Sequence, residues 1–277
     1  MQTLQTIQRR IDSAEELLAL VKTMKAMAAT SIRQYERAVQ SLTEYSKTID
    51  SGLQVALQRQ GSFGIRHEHE AGHRTAVVIF GSDLGMCGPL NEQIVTRVLT
   101  HLNKISTSTN TEERRFIAVG ERVANELDAA DQPLETCFAV PSSLSGITPT
   151  VQNILLRIEQ WNQARQIDQV LLFHMQPREH GTPEPCDQRL LPLDERMLEP
   201  YRKRSWPSRA RPMFTLSADV LLSALVRQYL FVSIYRAQAE SLASENASRL
   251  AAMQRAESNI EDRLNEYRTT YHHTRQM

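Results

Sequence analysis

The chain has 277 residues, 41% of them hydrophobic, and its 32 lysines and arginines balance 32 aspartates and glutamates. That is enough apolar material for a packed core in one large domain or two modest ones, and the absence of a net field argues against recruitment of nucleic acid or anionic lipid. Cys87, Cys137 and Cys186 stand far apart without Cys-x-x-Cys spacing, which argues against a disulfide framework or a zinc site and suits a reducing cytoplasm. There is neither a run of about 18 uncharged apolar residues nor a signal-peptide core nor a transit segment, so the expectation is a soluble protein without a membrane span.

From Leu4 to Leu53 the sequence predicts one uninterrupted helix: proline is absent, Gly52 comes only at its end, and apolar residues recur every three or four positions. The seam runs Leu4, Ile7, Ile11, Ala14, Leu18, Val21, Lys25, Ala28, Ile32, Tyr35, Val39, Leu42, Ser46, Ile49 and Leu53, broken only by Lys25 and Ser46. The pattern then changes to short β-branched runs alternating with amphipathic stretches. Thr75 to Phe80 reads as a buried strand, Asn91 to Ile105 as a helix, Phe116 to Val119 as a strand and Glu121 to Ala129 as a helix. A strand near Thr136 to Val140, a helix from about Thr148 to Ala164 and a strand at Gln169 to Phe173 continue the rhythm, with Arg189 to Leu193 a candidate edge strand. The expected result is an α/β fold: a small, Rossmann-like, mostly parallel sheet covered by helices. His67 to His73 and residues 200 to 212 read as loops, the second holding five basic residues and no acid.

From about Ser217, a plausible N-cap with Asp219 in the first turn, a second long helix begins. Its seam from Leu225 to Tyr271 is weaker, interrupted by Arg236, Asn246 and Glu257. Each long helix would span roughly 70 to 85 Å at ~1.5 Å per residue. A seam of that length must be buried against a partner of similar length, and the opposite end of the chain supplies one, giving an antiparallel coiled coil of the N- and C-terminal helices. Seam period alone equally allows a compact antiparallel bundle or a dimerisation rod. The chain thus divides into a coiled-coil helix within 1–60, an α/β domain over 74–195, a basic connector over 196–216 and a second coiled-coil helix over 217–277.

The segment from Gly81 to Asn91 follows a strand and opens a helix, where nucleotide-binding folds place a phosphate loop. It has neither Gly-x-Gly-x-x-Gly nor Gly-Lys-Ser/Thr and no lysine, so a structural turn whose glycines permit positive φ is the stronger reading. Cys87 has no histidine near it in sequence and is expected to be a buried structural residue. His67, His69 and His73, or His180 with Cys186, raise a metal site, outweighed by polar loop surroundings without a second cluster of fixed spacing. Arg202-Lys203-Arg204 with Arg209 and Arg211 is more simply a solvated connector than a phosphate site. No cofactor and no metal are expected.

Three stretches resemble one family. Ile7-Gln8-Arg9-Arg10-Ile11-Asp12-Ser13, followed by Val21-Lys22-Thr23-Met24-Lys25-Ala26-Met27-Ala28-Ala29-Thr30, is similar to the amino-terminal helix of the gamma subunits of F-type rotary ATP synthases. Ser82, Asp83, Gly85, Cys87, Gly88 and Asn91 match that family's Ser-Asp-Arg-Gly-Leu-Cys-Gly-Gly-Leu-Asn signature, and Glu240 to Ala256 resembles its carboxyl-terminal helix. The resemblance implies an asymmetric shaft inside a three-fold ring of alpha and beta subunits, with the α/β domain below the ring against an epsilon-type subunit and the membrane ring of c subunits. Ion flow would turn the shaft and so change the ring's catalytic sites. It places Lys22, Met24, Lys25 and Met27 where the shaft meets lever loops of the catalytic subunits, and Glu240, Ser244, Glu245 and Arg249 on the facing helix at a comparable height. These would serve torque and coupling, and none would perform bond chemistry.

Leu84 stands where the family has arginine and Pro89 where it has glycine. The chain stops at Met277, soon after Arg275-Gln276, which implies either a shorter shaft tip or a truncated form. With no transit segment and no closely spaced cysteine pair, the expectation is a bacterial protein, peripheral on the cytoplasmic face of the plasma membrane. The rivals are a small α/β enzyme with helical arms, which would need a catalytic cluster near 81 to 91, and a coiled-coil adaptor or scaffold using its basic loop for nucleic acid, which the even charge balance disfavours.

Overall fold

A computed structural model of the chain describes residues 4–59, 74–105, 113–178, 181–193, 195–206, 208, 210 and 212–276. The seam residues Ile7, Ile11, Val21, Ala28, Tyr35, Ile49 and Leu53 are all buried along α1 (Leu4–Arg59), a single helix of 56 residues. Gly52 does not end it. A Cβ there would lie 2.8 Å from Cδ2 of Leu225, so the glycine marks where the other long helix crosses closely. That partner is α6 (Ala218–Gln276), 59 residues long, and each helix rises roughly 84 to 89 Å at ~1.5 Å per residue.

The pair runs antiparallel. Ile7 and Ile11 pack with Leu264 at one end, Ile49 and Leu53 with Leu222 at the other. Ion pairs fix the register, Arg268 to Glu15 at 2.7 Å and Lys22 to Glu261 at 3.3 Å. α6 also holds an 18-residue window apolar enough by length and composition to cross a membrane, with mean hydropathy 1.3 and 22% of it buried. This window belongs to a helix that packs on protein along much of its length and leaves an apolar side uncovered.

Between the long helices come β1 (Arg74–Phe80), α2 (Leu90–Ile105), β2 (Glu113–Val119), α3 (Glu121–Ala129), β3 (Leu134–Phe138), α4 (Leu144–Gln163), β4 (Gln169–Gln176), β5 (Glu184–Leu191) and α5 (Glu195–Lys203). The strands form one sheet in the order β3-β2-β1-β4-β5, parallel except for β5, which pairs antiparallel with β4. The inner strands β1, β2 and β4 are apolar on both faces over their buried stretches, as a doubly covered sheet requires, whereas β3 at the edge alternates half-buried and exposed residues. Val77, Ile79, Phe116, Ala118 and Phe173 face α2 and α3. Val78, Phe80, Ile117, Val119 and Leu172 face α4 and α6, so the long helix itself closes one side of the domain.

Several boundaries depart from the sequence reading: α1 runs on to Arg59, β2 starts at Glu113, β3 spans Leu134–Phe138 and β4 runs on to Gln176, and three further departures have a physical reason or consequence. β5 begins at Glu184 instead of 189 and ends at Leu191, because its first five residues, Glu184 to Gln188, are half-buried and carry no apolar alternation. α4 begins at Leu144, ahead of the expected start near Thr148, with Pro149 in its second turn. The basic connector is partly helical: α5 docks Leu198, 4% exposed, among Leu53, Ala56 and Leu57 of α1.

Candidate functional site

The signature loop consumes its own polar groups. The Ser82 amide donates to Asn91 Oδ1 at 3.0 Å, Asn91 Nδ2 donates to Ser82 Oγ at 2.8 Å, and Ser82 Oγ lies 3.5 Å from the buried Cys87 Sγ. Asp83 holds three elements together: its Oδ1 accepts from the Glu121 amide at the start of α3 at 2.9 Å, and its Oδ2 accepts from the Val140 amide beyond β3 at 2.8 Å. A carboxylate placed at a helix N-terminus also suits the helix dipole. Gly120, at φ 121°, passes so close that a Cβ would meet Ser82 backbone atoms at 2.8 Å. Gly88 adopts φ 65°, the left-handed conformation the sequence reading anticipated for this turn. The segment is a structural knot at the end of β1, and its tip exposes Leu84 (65%) and Met86 (55%).

Among the described residues no group of three or more His, Cys, Asp or Glu side chains could hold a metal ion. His67, His69, His73 and His180 lie outside the described residues, as do Arg209 and Arg211. Of the basic stretch, Arg202 and Lys203 belong to α5, where Lys203 pairs with Glu199 at 2.5 Å. The carbonyl of Arg204 accepts from Gln54 and Gln58 on α1, both at 2.8 Å, and the Tyr201 hydroxyl donates to Asp50 at 2.9 Å. These contacts describe a strap docked on α1.

The residues singled out for coupling separate into two bands. On α1, Lys22 reaches Glu261 at 3.3 Å and Glu257 at 3.9 Å, and Lys25 pairs with Glu257. Met24 is half-buried, whereas Met27 is 66% exposed, in line with Leu17 (54%) and Leu20 (56%). Spacings of three, four and three put these four on one outward stripe. The shaft is therefore less polar outside than its composition suggests.

On α6, Ser244 and Glu245 are buried, and the side chains of Glu240 and Arg249 are 13% and 12% exposed. Ser244 Oγ donates to the Met175 carbonyl at 3.0 Å, and Glu240 Oε2 lies 2.9 Å from His174 Nε2. Glu245 pairs with Arg249; burial pushes its carboxyl above the usual range, and the guanidinium opposes that shift. Glu245 in turn raises Tyr35 of α1, after burial the second cause of that shift.

The bands are not at a comparable height. The acids opposite Lys25 and Lys22 are Glu257 and Glu261, twelve or more residues beyond Glu245, or roughly 18 Å along α6. Glu240 and Ser244 turn into the chain's own sheet at β4, and Glu245 is buried beside Arg249. Sequence reasoning missed Glu257 and Glu261 as partners, and it missed His174, the one ionisable residue in the apolar run of β4. That isolation in a buried strand was the available signal.

The ATP synthase family model matches residues 3–277. The ATP synthase gamma chain of Polynucleobacter necessarius subsp. necessarius is 24% identical over 281 residues, covering 100% of this chain and 94% of that one. That of Pasteurella multocida is 26% identical over 278 residues, covering 98% and 92%. Among solved structures, the rotor of Euglena gracilis mitochondrial ATP synthase superposes with a TM-score of 0.66 at 14% identity, covering 99% of this chain and 97% of that one. The central stalk and c-ring structure of the Tetrahymena thermophila mitochondrial enzyme gives 0.61 at 23% identity, covering 86% and 99%. A rod of two antiparallel helices rooted in a five-stranded α/β domain is thus matched from end to end, and the chain belongs to the ATP synthase family, alongside its gamma chains.

Proposed function

We propose that the chain is the central rotor shaft of a rotary ATP synthase, the gamma subunit, coupling ion flow through a membrane ring to ATP synthesis or hydrolysis in a catalytic ring. The observation that carries this reading is the full-length match of the α1–α6 rod and its α/β domain to gamma chains. Alpha and beta subunits surround the upper rod. Their lever loops press on the stripe of Leu17, Leu20, Met24 and Met27, beside the cations Lys22 and Lys25, whose side chains keep 50% and 35% exposure. Apolar surface left uncovered on one side of a helix and edged by charge is a typical site for a partner.

At the opposite end of the rod Met213 (90%), Leu216 (55%) and Val220 (56%) are also uncovered. There, and on the outer helices of the α/β domain, the epsilon-type subunit and the c ring bind. The chain supplies no bond chemistry: its best catalytic candidate, the loop from Gly81 to Asn91, spends its polar groups on its own fold. It works as a peripheral subunit on the cytoplasmic face of a bacterial plasma membrane.

Reconstitution tests the reading. The purified chain, mixed with alpha and beta subunits of its own organism, is expected to yield a complex with one copy per three alpha–beta pairs, and ATP hydrolysis that depends on it. A folded chain that stays out of the ring would return the adaptor reading to first place.

A further inference from the structure

Torque generated along the rod must pass into the α/β domain, and the two long helices meet that domain differently. α6 lies directly on the sheet beside β4, burying Ile234, Ala237, Leu242 and Ala243 there, while α1 joins the same core through Tyr35 and Val39. Apolar packing resists separation, but the hydrophobic effect is non-directional and by itself sets the angle of a helix less sharply than bonds of fixed geometry. Directional bonds are needed to fix an angle, and two of them link consecutive residues of β4 to consecutive turns of α6.

His174 is 5% exposed, with Nε2 2.9 Å from Glu240 Oε2. Its neighbour Met175 accepts at its carbonyl from Ser244 Oγ at 3.0 Å. Glu240 and Ser244 stand four apart, on one face of the helix. A slip of α6 by one residue, about 1.5 Å along its axis and 100° around it, breaks both links together. It would also strand a carboxylate in a buried setting without its partner, which is costly. Ser244 and His174 are buried and the Glu240 side chain keeps 13% exposure, and the polar atoms that form the two links are engaged within this chain.

We propose that His174, Glu240 and Ser244 form a torque joint: positioning residues that hold the angle of the shaft to the α/β domain, so that rotation at one end reaches the other without slippage. The inference rests on the shaft reading above and assigns Glu240 and Ser244 an internal task in place of contact with the ring.

The joint is tested with His174→Leu, which removes the partner of Glu240, and His174→Gln, which retains an N–H donor. In vesicles carrying the whole reconstituted complex, His174→Leu should leave ATP hydrolysis within about twofold of the parent and lower ions pumped per ATP by at least about threefold, with His174→Gln recovering most of the loss. A merely structural role would lower hydrolysis and pumping in proportion, and an unchanged ratio overturns the proposal. A second arm needs only the isolated chain: amide exchange over residues 238 to 249 should quicken about tenfold in His174→Leu, the equivalent of one lost buried hydrogen bond, while residues 18 to 28 stay as in the parent. Equal exchange in both segments also overturns it. Should the parent chain fail to support ring-dependent hydrolysis, the shaft reading falls, and the exchange arm still decides whether the joint exists.

Discussion

The upper band of α1 and the middle of α6 carry charged residues to opposite ends. Lys22 and Lys25 lie along the rim of a two-helix seam, half in solvent, opposite Glu257 and Glu261. Glu240, Glu245 and Arg249 lie where α6 is covered on one side by α1 and on another by the sheet, and they are satisfied inside the chain. From Ala237 to Glu245 every residue but Glu240 is buried, so this stretch has no outer face. A charge at the rim is free to meet a partner; a charge in the crowded stretch serves the fold.

The sharpest way to break this contrast is Arg249→Leu. Removing the cation leaves Glu245 buried without a counter-charge, and a loss of about 3–5 kcal/mol is expected in denaturant unfolding. The loss should depend on pH. The folded-state pKa of Glu245 is already raised by burial and rises further without Arg249, so the folded form binds its proton more tightly than the unfolded chain does. Stability contributed by that proton is fully present below the ordinary carboxylate range and is lost as pH climbs through the raised value. The deficit of the variant should therefore shrink on acidification toward about pH 4.5, and a deficit constant with pH would show that Glu245 is not the group left stranded.

Asp83→Ala removes a carboxylate that accepts from two backbone amides and should cost about 1.5–3 kcal/mol, read as a lower denaturant midpoint. Ser244→Ala deletes one buried hydrogen bond, for a loss of about 1 kcal/mol in the same assay. The smallest stability effect is expected from Lys22→Ala combined with Lys25→Ala, within about 1 kcal/mol of the parent because both side chains are partly solvated. That double variant should nonetheless lower ring-dependent ATP hydrolysis severalfold in the reconstituted complex. If it unfolds as readily as Arg249→Leu, the lysines belong to the fold and not to an interface.

Much of this architecture could be read from spacing. The three-four rhythm of α1 passes through its buried residues from Ile7 to Leu53, although Leu4 at the head of the seam is 39% exposed, and the apolar runs located β1, β2 and β4, because a doubly covered parallel strand needs no polar side. What spacing could not give was the height of one long helix against the other. A heptad seam repeats about every 10 Å, so many alignments bury it equally well, and the true one is chosen by individual pairs such as Glu15 with Arg268 and by the grip of β4 on α6. That is why Glu240 to Arg249 was expected beside Lys22 to Met27 and is found roughly 12 to 26 Å along α6 from Glu257, the residue that faces Lys25. α5 was hidden for another reason: Pro200 and a polar composition mask a helix whose docking rests largely on Leu198.

The antiparallel rod also sets an order of events during synthesis. Glu15 and Arg268 are 253 residues apart in the chain. At about 5–20 residues per second, roughly 13 to 50 s separate the emergence of α1's first turns from that of the residues that cover them. The seam of Ile7, Ile11 and Leu18 must wait through that interval with its apolar side bare, while the α/β domain, whose parallel pairs span shorter stretches of chain, can already close. α6 then completes the domain at Leu230 to Ala243 before its later turns meet the start of α1, so the rod zips from its rooted end toward its tip. A nascent chain of this kind depends on shelter at its first helix, and a chaperone that binds amphipathic helices would be expected to engage it there.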